Sequence, residues 1–413
     1  MSEIVTFGCR LNSYESELIK KLLKEARREN VVVVHSCAVT NEAERKVKQK
    51  IRKIHKDNPN KEIYVVGCAV QLDSRSYSNI PGVTKTLNNQ DKLKIENYLL
   101  KNNEILIDDN QKSKSKPILI DKFENKSRAF IQIQNGCNHS CTFCSITKAR
   151  GNSRSVPINN IVEQIKIFVA NGYQEIVFTG VDISDFGTDL FGKPSLGLMI
   201  SKVLRDVPKL KRIRLSSIDI AEIDNNLINL IINESRFMPH LHLSLQSGNN
   251  TILKRMKRRH NREQVIEFCH KVKELRPDIA YGADIIVGFP TETDEMFEDT
   301  INLLKEINVV YLHVFPYSKR KGTPAANMPQ VPENVSKKRV KNLKEISNKM
   351  MNDFHQSLIG TKQSVLVEPN NIGRAENFAL IKLLSSSNIK AKSIINANII
   401  GMENGYLIGC LIS

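Results

Sequence analysis

Apolar and charged stretches alternate along the first third of the chain. Residues 31–39 (VVVVHSCAV) and 63–70 (IYVVGCAV) are nearly continuous apolar runs, whereas residues 41–59 between them are highly charged and end at a proline. Short apolar runs are typical of buried strands, and a charged segment of this length is typical of a surface helix. The pattern predicts a doubly wound parallel α/β domain over residues 1–107.

The same alternation continues through residues 127–357. Helical patterns, for example at 158–172 and 294–308, separate six apolar runs with strand character. The predicted strands are 128–135, 175–181, 212–218, 240–247, 280–289 and 309–318. Six strand–helix units fit a partial (β/α)6 barrel, whose active site lies at the carboxyl ends of its strands.

Two further segments have a different character. Residues 108–126 are polar with little periodicity, which predicts a linker. After a charged helix at 332–358, residues 358–413 show short apolar runs separated by turn residues. This favours a small C-terminal β-barrel. We therefore expect an α/β protein of three domains.

The charge balance indicates the kind of partner. The chain has 61 Lys and Arg against 44 Asp and Glu, a net charge of +17, and a pI of about 9.4. A balance this basic favours nucleic acid as a partner. Since no apolar run approaches the ~18–20 residues that span a bilayer, and the first residues lack a basic signal-peptide region, we expect a cytoplasmic protein without a membrane partner.

The sharpest chemical signal is the loop GCNHSCTFC, which places Cys137, Cys141 and Cys144 in a C-x3-C-x2-C spacing. Three thiolates can hold three irons of a four-iron cluster and leave one iron open. An open iron can bind S-adenosylmethionine (SAM) and deliver an electron to it. Zinc is the alternative, but zinc sites commonly use four ligands in two C-x2-C pairs. His139 would be a strained fourth ligand between the cysteines.

This spacing, with Phe143 before the last cysteine, resembles the radical SAM superfamily. Residues 179–181 (TGV) resemble its segment for the methionine amino group, and 282–292 (GADIIVGFPTE) its stretch that packs on adenine. The resemblance implies SAM as a cofactor. The candidate SAM contacts, all close to the cysteine loop or at predicted strand ends, are Phe143, Thr179, Gly180, Ser216, Gln246 and Gly288.

A second set of cysteines follows apolar runs in the first domain. Cys9, Cys37 and Cys68 end or follow VTFGC, VVVVHSC and YVVGC. Because the carboxyl ends of parallel strands meet at one edge, these thiols should converge and hold a second cluster. The alternative is that each packs as a small apolar side chain in a buried strand. We expect Cys269 and Cys410 to do this instead of binding a metal.

Segments from nearly the whole chain resemble the methylthiotransferase family of radical SAM enzymes. These are FGCRLNSYESE (7–17), SCAVTNEAERKVKQKIR (36–52), GCNHSCTFCSITKARGNSRS (136–155), LHLSLQSGNNTILKRMKRRH (241–260), HVFPYSKRKGTPAANMP (313–329) and LVEPNNIGRAENF (366–378). The last resembles the family's RNA-binding TRAM domain, which implies that the C-terminal barrel is one. His35 departs from the pattern, where Asn is expected, but it adds or removes no thiolate.

Within the family, the likeness is strongest to the branch that acts on N6-threonylcarbamoyladenosine. It implies that the chain adds a methylthio group to C2 of this adenosine at position 37 of tRNA, next to the anticodon. One SAM would donate a methyl group to sulfur at the N-terminal [4Fe-4S] cluster. A second would be cleaved at the barrel [4Fe-4S] cluster, and the resulting radical would remove the C2 hydrogen. No catalytic side chain beyond the cluster ligands is implied.

An electron donor such as flavodoxin or ferredoxin is also implied. The alternatives are a sister enzyme acting on isopentenyladenosine in tRNA or on a ribosomal-protein aspartate, and, in a different class, a non-catalytic iron–sulfur RNA-binding redox sensor. A sensor needs no open iron beside a barrel, which argues against that reading.

Basic segments at 45–56, 253–262 and 337–344 would contact phosphates and make RNA binding salt-dependent. For 45–56 and 337–344 a solvated helix face is an equal alternative. The candidate RNA contacts are Arg150, Arg154, Lys254, Arg255, Arg258, Arg259 and Arg374. Asp284 and Glu292 either touch the substrate or pair locally.

Overall fold

A computed structural model describes residues 2–99, 118–124, 126–385 and 388–412. Residues 108–117 and 125 of the predicted linker thus lie outside the described residues. The chain forms two compact units. The first comprises Met1–Asp121, Asn135–His139 and Cys144–Arg154, and the second comprises Lys122–Gln134, Ser140–Phe143 and Ser155–Ser413. The predicted boundary at 357/358 falls inside the second unit.

The first unit is built on a parallel sheet with strand order β1-β2-β3-β4. Its first elements are β1 (Glu3–Thr6), α1 (Arg10–Glu25), β2 (Val31–Ser36), α2 (Asn41–Asp57), β3 (Glu62–Gly67), α3 (Cys68–Leu72), α4 (Ser74–Ser78), β4 (Val83–Leu87) and α5 (Glu96–Leu99). The predicted charged helix is confirmed as α2, whose first turn is capped by the Thr40 side chain accepting a hydrogen bond from Ala43 N–H.

Strand β2 explains why helices cover both faces of this sheet. All six of its residues are buried. Val32 and Val34 pack into the core with α2, while Val31 and Val33 pack into the core with α1. Successive side chains of a strand point to opposite faces, so a continuous valine run needs a cover on each side.

One predicted strand ends early. Residues 63–70 were expected to be extended throughout, but β3 ends at Gly67 and Cys68 begins helix α3. Gly67 has a φ of +104°, and a Cβ there would lie 2.7 Å from the His35 ring. The turn therefore needs glycine for both its backbone angle and its space.

The central part of the chain contains the six predicted barrel strands. Its elements are β5 (Ala129–Gln132), β6 (Gln134–Asn135), α6 (Ile146–Arg150), β7 (Arg154–Ser155), α7 (Ile158–Ala170), β8 (Glu175–Thr179), α8 (Leu196–Asp206), β9 (Arg212–Leu215), α9 (Asn225–Asn233), β10 (His240–Gln246), α10 (Asn250–Met256), α11 (Arg262–Leu275), β11 (Ala280–Val287), α12 (Asp294–Glu306), β12 (Val309–Pro316) and α13 (Glu333–Ser357). The long strands form two parallel sheets, β5-β8-β9 and β10-β11-β12.

These two sheets belong to one curved arrangement. An isolated parallel bridge joins Ile218, just after β9, to Leu243 of β10. Helices alternate with the strands, as expected for strand–helix units. The prediction of a six-stranded partial barrel is confirmed. No helix among the described residues is long and apolar enough to cross a membrane.

The C-terminal part is a closed barrel of five strands. They are β13 (Lys362–Glu368), β14 (Ile372–Ala375), β15 (Leu380–Leu384), β16 (Ile394–Glu403) and β17 (Tyr406–Leu411), in the order β13-β14-β15-β17-β16. Its core contains Val365, Val367, Ile381, Ala397 and Leu407. The predicted small β-barrel is therefore confirmed.

Buried arginines attach this barrel to the central sheets within the second unit. Arg214 of β9 donates to Glu175 Oε1 and to the carbonyl oxygens of Ala375 and Glu376, all at 2.8 Å. Phe378 stacks on His240 with ring centroids 4.6 Å apart. We call Glu175, Arg212, Arg214 and Phe378 the barrel–core contact.

Candidate iron–sulfur centres

The three N-terminal cysteines follow three neighbouring parallel strands. Cys9 is the residue before α1, Cys37 follows β2, and Cys68 follows β3. Burial, together with the neighbouring Cys9 and Cys68, raises the pKa of Cys37 to about 11. Gly8 has a φ of +91°, and a Cβ there would lie 2.8 Å from Cys37 Sγ. The thiols therefore converge at the carboxyl edge of the sheet.

A buried charged network, formed by Glu15, Lys92 and Arg150, lies beside these thiols. Lys92 Nζ donates to Glu15 Oε2 at 2.6 Å, and Arg150 Nη1 donates to Glu15 Oε1 at 2.9 Å. The three residues are at most 5% exposed. Burial raises the pKa of Glu15, but Lys92 and Arg150 outweigh this and hold it far below its ordinary value. The network thus contains two cations and one carboxylate.

His35 contacts this network but adds no charge to it. Burial, and then the charge of Lys92, lower its pKa well below the ordinary value, so the ring is neutral. Its Nδ1 lies 2.9 Å from Ser16 Oγ and its Nε2 lies 3.0 Å from Lys92 Nζ. The residue that departs from the family pattern is therefore a hydrogen-bonding partner of Lys92.

Asn89 connects the buried charged network to one of the thiols. Its side-chain Oδ1 accepts from Lys92 at 2.7 Å, and its Nδ2 lies 3.5 Å from Cys68 Sγ. A thiolate is the form that binds iron, and nearby cations offset part of its negative charge in the bound state. Three converging thiols with cationic surroundings fit an iron–sulfur cluster.

The structure corrects the expected role of Arg150. Its guanidinium donates to Asn12 Oδ1 at 2.6 Å as well as to Glu15, and the side chain is 2% exposed. A guanidinium enclosed in this way has no free face for a phosphate. Arg150 belongs to the buried charged network and not to an RNA surface.

The cysteines of the C-x3-C-x2-C loop are half-buried. Cys137 Sγ accepts from the backbone N–H of His139, and Cys144 Sγ accepts from that of Ile146, each at 3.4 Å. In the second unit, Arg258 Nη1 lies 3.8 Å from Cys141 Sγ. N–H groups directed at sulfur suit thiolate ligands, so the surroundings of each of these cysteines fit a ligand of an iron–sulfur cluster.

Several candidate SAM contacts lie at the ends of the barrel strands. Thr179 ends β8 and Gln246 ends β10, while Ser216 directly follows β9 and Gly288 directly follows β11. Phe143 packs edge-on against Phe289, with centroids 6.4 Å apart. These positions agree with an active site at the carboxyl ends of the strands.

Gly180 occupies a tight turn after β8. A Cβ there would lie 2.8 Å from the Gln134 carbonyl oxygen. The Gln134 side chain accepts from the N–H groups of Val181 and Asp182 at 3.0 and 2.9 Å and fixes this turn. The backbone after β8 is thereby held close to the end of β5.

Comparison with known proteins identifies the family. Residues 131–304 match the radical SAM superfamily, and residues 2–87 match a group described as "Uncharacterized protein family UPF0004". The threonylcarbamoyladenosine tRNA methylthiotransferase MtaB of Rickettsia prowazekii is 50% identical over 98% of this chain and 96% of its own length. The enzyme with the same name from Bacillus subtilis is 38% identical over 84% of this chain and 80% of its own. The chain belongs to the radical SAM methylthiotransferase family.

Other relatives of this methylthiotransferase carry a different substrate in their names. A tRNA-2-methylthio-N(6)-dimethylallyladenosine synthase from Clostridium botulinum is 32% identical over 98% of this chain and 96% of its own length. Among solved structures, the radical SAM methyltransferase TsrM of Kitasatospora setae has a TM-score of 0.54 at 11% identity, covering 79% of this chain and 73% of its own. That likeness supports the fold alone.

The candidate RNA contacts of this methylthiotransferase divide into two groups. Arg154, Lys254 and Arg255 are exposed. Arg258, in contrast, donates to Asp219 Oδ2 at 2.9 Å and to the Ser244 carbonyl at 2.7 Å. It lies beside Cys141, and its side chain is 9% exposed, so the expected contact with RNA is replaced by contacts inside the second unit.

Arg259 and Arg374 are also engaged within the second unit. Arg259 pairs with Asp219 at 3.0 Å and with Glu222. Arg374 lies 4.3 Å above the Phe378 ring. Of the two acidic residues left open by the sequence, Glu292 pairs locally, since it accepts from Arg339 and from Gly288 N–H at 2.8 Å.

Sequence reasoning missed the buried charged network except for Arg150, which it assigned to RNA. A signal existed for Glu15, since it lies on the buried stripe of α1 with Leu11, Leu18 and Leu22. A carboxylate at a core position of an amphipathic helix needs a buried cation. Nothing in the sequence near Lys92 marks it as that cation. Cys269 is buried as expected, whereas Cys410 lies on a strand but is only half-buried.

Proposed function

We propose that this chain adds a methylthio group to C2 of N6-threonylcarbamoyladenosine at position 37 of tRNA. The observation that carries the proposal is the convergence of Cys9, Cys37 and Cys68 beside two buried cations, together with the separate C-x3-C-x2-C loop. Two thiol sets match the need to handle sulfur and to cleave SAM at different centres. The relative that is 50% identical carries the threonylcarbamoyl substrate in its name.

Each thiol set has its own role in the proposal. Cys137, Cys141 and Cys144 would hold the [4Fe-4S] cluster for SAM, and Cys9, Cys37 and Cys68 would hold a second one. These groups supply one-electron chemistry able to remove hydrogen from an unactivated C2–H bond, for which acid–base side chains do not suffice.

The chain's own residues prepare these sites. Lys92 and Arg150 place positive charge beside the N-terminal thiols, and Glu15 holds both cations in position. Arg258 directs an N–H at Cys141. In the second unit, the strand ends that carry Thr179, Gly180, Ser216, Gln246 and Gly288 surround the place where SAM is bound.

The partners follow from the chemistry. The net charge of +17 favours tRNA over a ribosomal protein. Exposed Arg154, Lys254 and Arg255 bind phosphates, and the C-terminal barrel binds RNA backbone. An electron donor such as flavodoxin or ferredoxin supplies the reductant, and the enzyme works in the cytoplasm.

Nucleoside mass spectrometry of tRNA from cells with and without the gene tests the proposal. We expect 2-methylthio-N6-threonylcarbamoyladenosine to disappear on deletion and its unmethylthiolated precursor to accumulate. Loss of 2-methylthio-isopentenyladenosine alone would move the protein to the sister activity named for its Clostridium relative. No change in tRNA would reopen the ribosomal-protein alternative.

Cysteine variants separate the two centres. Anaerobically reconstituted protein with Cys9, Cys37 and Cys68 replaced by Ala should retain half of the iron and still release 5′-deoxyadenosine, but should not methylthiolate tRNA. The matching Ala variant of Cys137, Cys141 and Cys144 should lose SAM cleavage. Normal methylthiolation by the first variant would show that its three cysteines are merely packed.

A further inference from the structure

The inner face of the β10–β12 sheet differs sharply from its outer face. On the outer face, Leu241, Leu243 and Leu245 are fully buried. The alternating positions on the inner face include His242 on β10, Asp284 on β11 and His313 on β12. Polar side chains on the concave side of a barrel sheet lie where a ligand enters from the strand ends.

These three side chains form one hydrogen-bonded group. Asp284 Oδ1 lies 3.0 Å from His242 Nε2 and 3.1 Å from His313 Nδ1, and Ser217 Oγ donates to Oδ2 at 3.3 Å. Burial raises the pKa of Asp284, but the hydrogen bonds from the two histidines outweigh this and hold it below its ordinary range. The ionised carboxylate only accepts, so each ring nitrogen facing it carries a hydrogen.

His313 is the member of this group that a ligand can reach. Its side chain is 60% exposed, whereas that of His242 is 10% exposed. Because Nδ1 of His313 is bound to Asp284, its Nε2 points away from the carboxylate and is available to a ligand. The ring is thus held in one orientation with one polar atom presented.

An aromatic ring lies next to His313. Phe315 is two residues nearer the end of β12, is 38% exposed, and stands edge-on to the His313 ring with centroids 6.4 Å apart. An exposed aromatic face stacks well on an unpaired nucleobase. The apolar ring and the polar nitrogen together suit a base that carries a polar substituent.

The group also lies close to Cys141, which belongs to the same unit. Arg258 bridges Cys141 Sγ and the Ser244 carbonyl, at 3.8 and 2.7 Å. Ser244 is two residues beyond His242 on the same strand, which is about 7 Å along the chain. A base bound at Phe315 and His313 would therefore lie near the end of the sheet that Arg258 links to Cys141.

We propose that Phe315 and His313 bind the extruded modified adenosine, with Phe315 against the base and His313 Nε2 hydrogen-bonded to its polar N6 substituent. This inference rests on the proposed function and deepens it, since it assigns the choice between substrates to one side chain. A site built to hydrogen-bond a substituent discriminates strongly against an apolar analogue, because its polar group is then left unpaired. Asp284 and His242 act as positioning residues that orient His313.

The test compares the affinities of two anticodon stem-loops, one carrying N6-threonylcarbamoyladenosine and the other N6-isopentenyladenosine. Binding to the cluster-loaded protein is measured by fluorescence anisotropy under anaerobic conditions. We expect the wild type to prefer the threonylcarbamoyl RNA. His313→Phe should reduce that preference by about tenfold or more, the effect of losing one good hydrogen bond. His313→Asn, which keeps a polar atom, should retain most of it. His270→Phe, on the exposed side of α11, is the matched control and should leave the ratio unchanged.

Phe315→Ala should instead weaken both RNAs together, by about five- to hundredfold for one lost stacking contact. An unchanged preference in His313→Phe, with wild-type circular dichroism and iron content, would overturn the inference. The inference would also be overturned if the wild type bound one equivalent of a metal other than iron and His313→Phe did not. The two histidines and Asp284 would then be a metal site. A wild type that prefers isopentenyl RNA would contradict the proposed function, while the His313 ratio would still test the subsite.

Discussion

The two units each bury a carboxylate among cations, but the cations of the two clusters face different groups. In the first unit, Glu15 holds Lys92 and Arg150 beside three thiols. In the second, Glu175 lies among Arg128, Arg212 and Arg214 at the barrel–core contact. Both clusters hold an excess of cations over carboxylates, and the difference lies in what the cations face.

In the barrel–core contact, the arginine N–H groups are used on specific partners. Arg214 donates to two barrel carbonyls, and Arg212 donates to Ser364 Oγ at 2.6 Å. In the buried charged network, the excess positive charge is instead directed toward sulfur. Since buried ion pairs are weak stabilisers in themselves, we infer that one cluster is kept for docking and the other for its electrostatic effect on the thiols.

The largest effect is expected from Glu15→Gln. This change leaves Lys92 and Arg150 buried without a counter-charge, which should lower the free energy of unfolding by about 3–5 kcal/mol. Urea denaturation of the apoprotein measures it. The control Glu42→Gln removes a carboxylate from an exposed pair with Arg45 and should change nothing measurable. Equal stability of both variants would show that the buried network is not electrostatically coupled.

A smaller loss is expected at the barrel–core contact. Phe378→Ala removes the ring that stacks on His240 and lies beneath Arg374. Because Phe378 is only half-buried, we expect about 2 kcal/mol, below the range for a fully buried phenylalanine. Hydrogen exchange should quicken in β13–β15 before it does in β11. Phe191→Ala, at a fully exposed ring, is the matched control, and protection equal to that control would contradict the docking role.

Acid should weaken both clusters. Burial raises the pKa of Glu15 and Glu175, but Lys92 and Arg150 in one case, and Arg214 and Arg128 in the other, outweigh it and lower both values below 4.5. A carboxyl group whose pKa is lower in the folded state stabilises the fold at pH values above its pKa in the unfolded chain. This stabilisation is lost as the pH falls through the pKa of the folded state. The free energy of unfolding should therefore drop below about pH 4.5. Glu175→Gln should show a shallower drop between pH 4.5 and 3; an identical slope would argue against the pairing.

The smallest effect is expected on tRNA binding, when exposed basic residues are replaced. Replacing Lys254 and Arg255 with Ala should weaken tRNA binding several-fold and reduce the salt dependence, by about 0.7–0.9 in slope for each lost phosphate contact. Lys341→Ala changes an exposed residue of α13 that pairs with Glu345. It tests the alternative of a solvated helix face and should leave binding unchanged. An unaltered salt slope in the double variant would place the RNA elsewhere.

Local patterns predicted the fold well because they report burial along one element at a time. The valine run of β2, the charged face of α2 and the cysteines after β1, β2 and β3 all carry their signal within a few residues. The buried charged network carries none, since Lys92 and Glu15 are 77 positions apart in sequence. A group of basic residues also does not reveal which side chains are buried. For that reason Arg150 and Arg258 were predicted to contact RNA.

The barrel–core contact also affects the order in which the chain can fold during synthesis. Arg212 and Arg214 belong to β9, but the hydroxyl and carbonyl groups that accept from them come from β13, from the end of β14 and from the residue after it, 152 to 162 positions later in the chain. A nascent chain that ends before β13 would hold these arginines beside Glu175 with no barrel groups to accept from them, so we expect its central sheets to be incompletely packed. We therefore expect iron and sulfide to be delivered to full-length chains, and stalled chains that end before β13 to be poor recipients of a cluster.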